Sequence, residues 1–328
     1  MREISKKRLR TLADGHIRRA GAHNTDRVYR GRWEAFLGWA LRRRLTWQPA
    51  RIDTITMYLS WLGERGLSES TVRGALAAIR HYYQLNEGVH NESMAEEVSR
   101  CARSVVRKVA RNPERARPLR AAQLREIIGL VEQAGRAPVP PAVWARDKAL
   151  LLLGWGAALR RSELAQLDWE SVTFVPEDAA APGSLTGVQI HVRRSKRDQL
   201  ARGKWVSLEG GRAPETCPVR ALWHWRRIVR RTRGPVFVAQ RGYGWNAAAI
   251  HPSWVNLTVK RYVALLGEPA SAYSAHSLRA GWATDMLALG ASEPVVARHL
   301  RHRDKSMLRV YYRPDGFAPG HLTERAGL

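Results

Sequence analysis

The sequence predicts a mainly α chain with one small antiparallel β-sheet, an α+β arrangement in two parts. Three observations carry this reading. Apolar residues recur at helical spacing, first in a block of about 85 residues that suits a small bundle and again beyond residue 119. Between 171 and 208 the pattern changes to short β-prone runs separated by Pro, Gly and Asp. A basic stretch punctuated by Pro113 and Pro118 divides the two helical regions.

Residues 1–20 carry seven basic and two acidic side chains, 7 − 2 = +5, without a period, and read as a basic N-terminal arm or a solvated terminus. Helical spacing starts near Asn24. Thr25 suits a cap, with Tyr29, Trp33, Phe36 and Ala40 on one face. A second helix spans Ile52 to Gly63, with Ile55, Tyr58, Leu59 and Leu62 inward. Gly66 breaks the chain, and Ser68 or Ser70 caps a third helix bearing Val72, Leu76, Ile79 and Tyr83. A fourth covers Glu92 to Val106. Residues 21–106 therefore form a helical bundle, and the aromatic residues at these spacings belong to its core rather than to a base-stacking surface.

Residues 100–120 hold eight Arg or Lys against Glu114 alone, and 107–118 read as an extended basic linker suited to a phosphate backbone. The second part, 119–328, opens with a helix from Ala121 to Gln133. The next, Val143 to Trp155, is apolar nearly all round over Ala149–Leu153, as a buried central helix is. Strands follow at Val172–Val175, Val188–Val192 and Trp205–Leu208. The tip between the last two carries Arg193, Arg194, Lys196, Arg197, Arg202 and Lys204 against Asp198. Helices return at Cys217–Arg231, His251–Leu266, Ser274–Leu289, Glu293–Leu300 and, briefly, Ser306–Tyr312.

The formal net charge of +26 on 328 residues, with 45% hydrophobic residues, describes a globular chain that meets a polyanion, most commonly nucleic acid. Cys101 and Cys217 form no Cys-x-x-Cys pair, which argues against a disulfide framework and a cysteine zinc site. The early charges Arg2, Glu3, Lys6, Lys7 and Arg8 leave no apolar signal core. The longest apolar run, Ala149 to Leu159, is shorter than the roughly 20 residues that span a bilayer. The expectation is a soluble, cytoplasmic protein without a membrane partner.

The chemistry concentrates between Ser274 and Tyr312. His276 and Arg279 are three apart and share a helix face; an imidazole beside a guanidinium suits a phosphate. His302 follows in a basic segment, then the pair Tyr311–Tyr312. With Arg160 and Lys196 upstream, the order is Arg160, Lys196, His276, Arg279, His302, Tyr311. In that order the chain resembles the tyrosine recombinases, the phage integrase family. GAALRRSELAQLDWESV resembles the segment carrying the family's first arginine, RRSKRD its hairpin lysine, SAHSLRAGWAT its His-x-x-Arg box, and HLRHRDKSMLRVYY its terminal histidine and tyrosine segment. The bundle resembles the core-binding domain, and ARPLRAAQLREII the entry into the catalytic domain. The resemblance covers nearly everything beyond the first twenty residues.

The resemblance implies a site-specific recombinase or integrase that joins DNA to a tyrosine through a 3′-phosphotyrosyl bond, without an obligatory metal or other cofactor. It implies two protomers on a duplex core site, four for exchange, and accessory DNA-bending or directionality proteins as further partners. Arg160 and Arg279 can hold the phosphate bidentately while staying charged. Lys196 can protonate the leaving 5′ oxygen, a role for which Lys204, at the start of the next strand, is the weaker candidate. His276 can assist proton transfer or bond a non-bridging oxygen, and His302 can donate a further hydrogen bond. Glu163 can orient Arg160 or neighbouring backbone. The separation 311 − 302 = 9 matches the family pattern, and adjacent helical residues point about 100° apart, so Tyr311 is preferred over Tyr312. Two departures stand out. Ala157–Ala158 replaces the common Thr-Gly, and Leu300–Arg301–His302 replaces Leu-Gly-His, so a glycine turn is expected to be absent and Arg301 to add charge near the site. Type IB topoisomerase-like relaxation, or a non-catalytic DNA-binding protein on this fold, are the other readings.

Overall fold

The structure, a computed structural model, describes residues 23–85, 91–110, 115–176, 185–192, 203–211 and 213–302. It divides into two compact units, one ending at Glu114 and the other beginning at Arg115.

The first unit contains helices α1 (His23–Arg42), α2 (Ile52–Glu64), α3 (Glu69–Leu85) and α4 (Glu96–Val109), with a 3₁₀ turn at Glu92–Met94. Trp33, Phe36, Trp39 and Ala40 of α1, Ile55, Tyr58, Leu59 and Leu62 of α2, and Val72, Leu76, Ile79 and Tyr83 of α3 meet in one core with Val98, Ala102 and Val106 of α4. The 3.6-residue period places these side chains on facing stripes, and each large one buried contributes about 1.5–3 kcal/mol. The aromatics are used as core: Trp33 stacks on Tyr82 at 3.6 Å between ring centroids. The Tyr83 hydroxyl donates to the Trp47 carbonyl and accepts from the Ala50 amide at 3.0 Å, and burial pushes its pKa up to about 12. Tyr29, expected on the inner face, is only half-buried, as are Trp47, Tyr82 and Trp61; the Arg43 and Arg65 guanidiniums lie over the Trp61 ring at 5.6 and 5.4 Å.

The second unit carries α5 (Ala121–Glu132), α6 (Pro141–Gly156), α7 (Arg161–Ala165), β1 (Val172–Pro176), β2 (Leu185–Val192), β3 (Lys204–Glu209), α8 (Pro218–Val229), β4 (Val238–Arg241), β5 (Gly244–Ala249), α9 (Pro252–Val263), α10 (Ala275–Ala288) and α11 (Glu293–His299). Helix α6 is central, with Ala149 to Leu153 all buried. Its Asp147, fully buried, accepts from Arg146 Nη2 at 2.7 Å, Arg261 Nη1 at 3.1 Å and the Tyr262 hydroxyl at 3.0 Å, which ties α6 to α9. Strands β1, β2 and β3 form an antiparallel meander with Val172 opposite Ile190 and Val188 opposite Leu208. Val188, Ile190 and Val192 alternate inward, the period of a half-buried strand. No helix among the described residues is long and apolar enough to cross a membrane.

Two features differ from the sequence-based expectation. A second hairpin, β4–β5, turns through Gly242 at φ 57°, and Arg231 donates to the carbonyls of Asn246 and Trp245 at 2.9 and 3.1 Å. The stretch 107–118 is also not one extended linker. Its first three residues complete α4, where Lys108 pairs with Glu64 at 2.5 Å. Near its other end, the Arg117 amide donates to Ala272 O at 2.7 Å, and Leu119 just beyond it donates to Ser277 O at 2.9 Å. The Leu119 carbonyl lies directly over Gly281 of α10, where a Cβ would fall 1.8 Å from that oxygen. Gly281→Ala must displace backbone, so it should lower stability by about 1–3 kcal/mol, read as a drop in melting temperature.

Candidate active site

Helix α6 ends in a tight reversal. Ala157 caps it, Ala158 takes φ 45°, and Leu159 N donates back to Gly154 O at 3.2 Å. This turn sets Arg160 at the N-cap of α7 in extended backbone. A non-glycine residue in the left-handed region costs roughly 1–2 kcal/mol, so the surroundings must hold Ala158 there. They do so through its carbonyl, which accepts from Arg279 Nη1 at 2.5 Å and from Arg301 Nη2 at 2.9 Å.

Arg279 comes from α10, whose start is fixed by Ser274: its Oγ accepts from the His276 amide at 3.2 Å, while the Ser274 amide donates to Ser277 Oγ at 2.9 Å. At Gly154 of α6 a Cβ would stand 2.9 Å from methyl groups of Leu164 and Leu278, so the missing side chain lets α7 and α10 close in on α6. Arg279 is 2% exposed and its Nη2 also donates to the Leu300 carbonyl. The other predicted arginine, Arg160, keeps 30% of its side chain exposed and is held by Glu163. Glu163 Oε1 accepts from Arg160 Nη1 at 2.6 Å, and Oε2 accepts from the Arg160 amide at 2.9 Å and from Arg301 Nη2 at 3.1 Å. Burial works against ionisation of Glu163, but Arg301, then the Arg160 amide and guanidinium, outweigh it and hold the carboxyl below its usual range.

The two predicted histidines stand in the same field. His276 is on the first turn of α10 and keeps part of its surface exposed. Desolvation by the protein packed round it, then Arg279 and Arg160, push its pKa below the ordinary imidazole value. His302 is half-buried; burial, then Arg279, Arg160, Arg301 and His276, push it down to about 4. Four predicted residues, Arg160, His276, Arg279 and His302, thus come together from three stretches of the chain. Lys196 and Tyr311, with Tyr312, lie outside the described residues. Lys204 opens β3 opposite Val192.

The expectation that a glycine turn is absent needs correcting in its consequence. Ala158 and Arg301 both adopt left-handed backbone, at φ 45° and 56°, so both turns are kept without glycine. Arg301 does add charge near the site, as expected, but as a buried group: its side chain is 4% exposed and turned inward onto carbonyls and Glu163. His299 was not singled out in the sequence. Its Nε2 donates to Gly156 O at 2.8 Å and its ring stacks on Trp282 at 3.9 Å, which pins α11 against the end of α6.

Residues 14–87 match the phage integrase N-terminal SAM-like domain, and residues 216–316 match the phage integrase family. The chain is 28% identical over 310 residues to an integrase/recombinase XerD homolog of Selenomonas ruminantium, covering 94% of this chain and 86% of that protein. It is also 28% identical over 316 residues to the tyrosine recombinase XerC of Roseiflexus sp. (strain RS-1), covering 92% and 86%. Among solved structures, the site-specific recombinase XerH bound to difH in a pre-cleavage complex shares the fold with a TM-score of 0.59 at 18% identity, covering 100% of this chain and 85% of that one. A lambda integrase dimer bound to a COC′ core site does so at 0.58 and 14%, covering 95% and 78%. The chain belongs to the phage integrase family, the tyrosine recombinases.

Proposed function

We propose that the protein is a site-specific DNA recombinase or integrase whose catalytic residues are Arg160, Lys196, His276, Arg279, His302 and Tyr311. The observation that carries this is the convergence of two guanidiniums and two imidazoles, drawn from the α6–α7 turn, α10 and the segment after α11, on one place. Such a set suits the anionic, charge-shifting phosphoryl group of a DNA strand. Arg160 and Arg279 bind the non-bridging oxygens, and His302, neutral at physiological pH, donates an N–H to one of them. His276 is also held toward its neutral form and takes the proton of the Tyr311 phenol as its oxygen attacks phosphorus. The P–O5′ bond breaks, Lys196 protonates the departing oxygen, and the 3′-phosphotyrosyl bond keeps the energy of the phosphodiester. A 5′ hydroxyl of the partner strand then reverses the step.

The duplex core site is the partner, bound by two protomers, with four assembled for exchange. The first unit acts as the core-binding module. The test is a set of nicked duplexes carrying DNA that flanks the gene: a protein–DNA adduct surviving denaturation, followed by recombinant product from intact sites, is expected. Relaxation of supercoiled plasmid without recombinant product would instead make the protein topoisomerase-like, and DNA binding without an adduct would make it non-catalytic.

A pH dependence of stability follows from the histidines. His276, His299 and His302 have folded pKa values below their ordinary 6.5, so the unfolded chain binds more protons below that value. Their contribution is complete above pH 6.5 and is lost as pH falls toward about 4, where Glu163 adds its own loss. The melting temperature should therefore fall between pH 7 and 4, and less steeply with DNA bound, because a phosphate anion raises the imidazole pKa values. A melting temperature that is level across this range without DNA would contradict it.

A further inference from the structure

Arg301 occupies the position before His302 where the family commonly has glycine, and it accepts a left-handed backbone there. A glycine would hold that conformation without strain. Something must favour arginine, and the side chain shows what. Arg301 Nη1 donates to Ala157 O at 3.1 Å and His299 O at 3.0 Å; Nη2 donates to Ala158 O at 2.9 Å and Glu163 Oε2 at 3.1 Å. Each terminal nitrogen has two N–H groups, so all four are committed to the protein. The remaining Nε is buried and has no partner among the described residues. The guanidinium therefore has no terminal donor left for a phosphate, and its role lies in what it holds.

It holds the supports of both site arginines. Ala158 O, which Arg301 shares, is also the acceptor of Arg279 Nη1. Glu163 Oε2, likewise shared, also receives the Arg160 amide, while Oε1 of the same carboxylate receives the Arg160 side chain. We propose that Arg301 is a positioning residue of the strand-cleavage site, its buried fork locking Glu163 and the 157–158 turn so that Arg160 and Arg279 stand ready for the phosphate. This rests on the recombinase reading above. The charge of Arg301 also acts on the site, since it is among the cations that lower the His302 pKa and it opposes protonation of Glu163.

The decisive substitution is Arg301→Gly, which relaxes the backbone and removes only the fork. Single-turnover cleavage of a nicked duplex at saturating DNA should slow by about 100-fold, the cost expected of an ångström-scale displacement of catalytic groups, with duplex affinity within about twofold of wild type. Arg301→Lys keeps the charge but cannot bridge the same acceptors, and should fall between the two. Glu163→Gln combined with Arg301→Gly should slow cleavage little more than the worse single change, as residues acting through one unit do. By nuclear magnetic resonance, the His302 titration midpoint should move up in Arg301→Gly and stay near wild type in Arg301→Lys, a readout that loop shape alone would not separate. Cleavage by Arg301→Gly within twofold of wild type, or an unmoved His302 midpoint, would overturn the proposal. A wild-type protein that forms no adduct would overturn the recombinase reading itself. Should Arg301→Gly fail to fold, the lysine variant decides: wild-type cleavage by it would refute the fork.

Discussion

Tyr311→Phe is expected to abolish the covalent DNA adduct, while Tyr312→Phe retains it. The phenol oxygen is the atom that becomes bonded to phosphorus, so its removal leaves no nucleophile, and losses on the order of 10⁶-fold accompany such deletions in other covalent catalysts. A phenol with a pKa near 10 is a weak nucleophile in water, and a neutral imidazole beside two guanidiniums is the setting that activates it. The choice between the adjacent tyrosines rests on the interval of 311 − 302 = 9 residues and on helix geometry, where neighbours diverge by about 100°. Duplex affinity of Tyr311→Phe should equal that of wild type, because one hydroxyl is lost and no charge. Mapping the DNA-linked peptide of the wild-type protein provides the independent check. An adduct kept by Tyr311→Phe and lost by Tyr312→Phe would transfer the role to Tyr312.

Much of this fold is legible in periodicity because burial imposes it. The stripes Ile55–Tyr58–Leu59–Leu62 and Val72–Leu76–Ile79–Tyr83 are inner faces, and the all-round apolar segment Ala149–Leu153 is the centre of the second unit. The β1–β3 meander is legible because Val188, Ile190 and Val192 alternate inward. The β4–β5 hairpin is not, since its residues are mostly Ala, Gly and polar, and its hold comes from tertiary contacts with no local signature: Val238 and Trp245 on the core, Arg146 on the Val238 carbonyl and Arg231 on two further carbonyls. The site divides the same way. His276 and Arg279 declare themselves by spacing on α10, and Arg160 by its motif. The Glu163–Arg301 fork does not, because local rules expect glycine at positive φ, and only long-range hydrogen bonds to the 157–158 turn explain why Arg301 is tolerated there. Lys196 and Tyr311 rest on sequence pattern alone.

Arg279→Ala should damage both chemistry and fold, and the comparison with Arg160→Ala tells the two effects apart. A guanidinium that stabilises a phosphoryl transition state is worth about 10³–10⁵ in rate, so either alanine variant should cleave at least about 1,000-fold more slowly. Their stabilities should diverge. Arg279 is 2% exposed and supplies hydrogen bonds to the Ala158 and Leu300 carbonyls, which lie beside the left-handed residues of both turns. Ala158 O keeps Arg301, but Leu300 O loses its side-chain donor, at about 1–3 kcal/mol, and a cavity opens where one of the largest fully buried side chains stood, so Arg279→Ala should lose several kcal/mol and melt well below wild type. The Arg160 side chain is 30% exposed, and its partner Glu163 keeps Arg301 and the residue-160 amide. Its removal should cost less, at most about 1.5–3 kcal/mol, the worth of one hydrogen bond to a charged group, because the buried carboxylate keeps its other two donors. Arg279→Lys sharpens the assignment: a single ammonium preserves the charge but loses the planar fork, so partial stability with cleavage still down by about 100-fold or more marks bidentate phosphate binding rather than charge alone. Single-turnover cleavage and thermal melts on the three variants measure this, and an Arg279→Ala protein that cleaves within tenfold of wild type would remove Arg279 from the site.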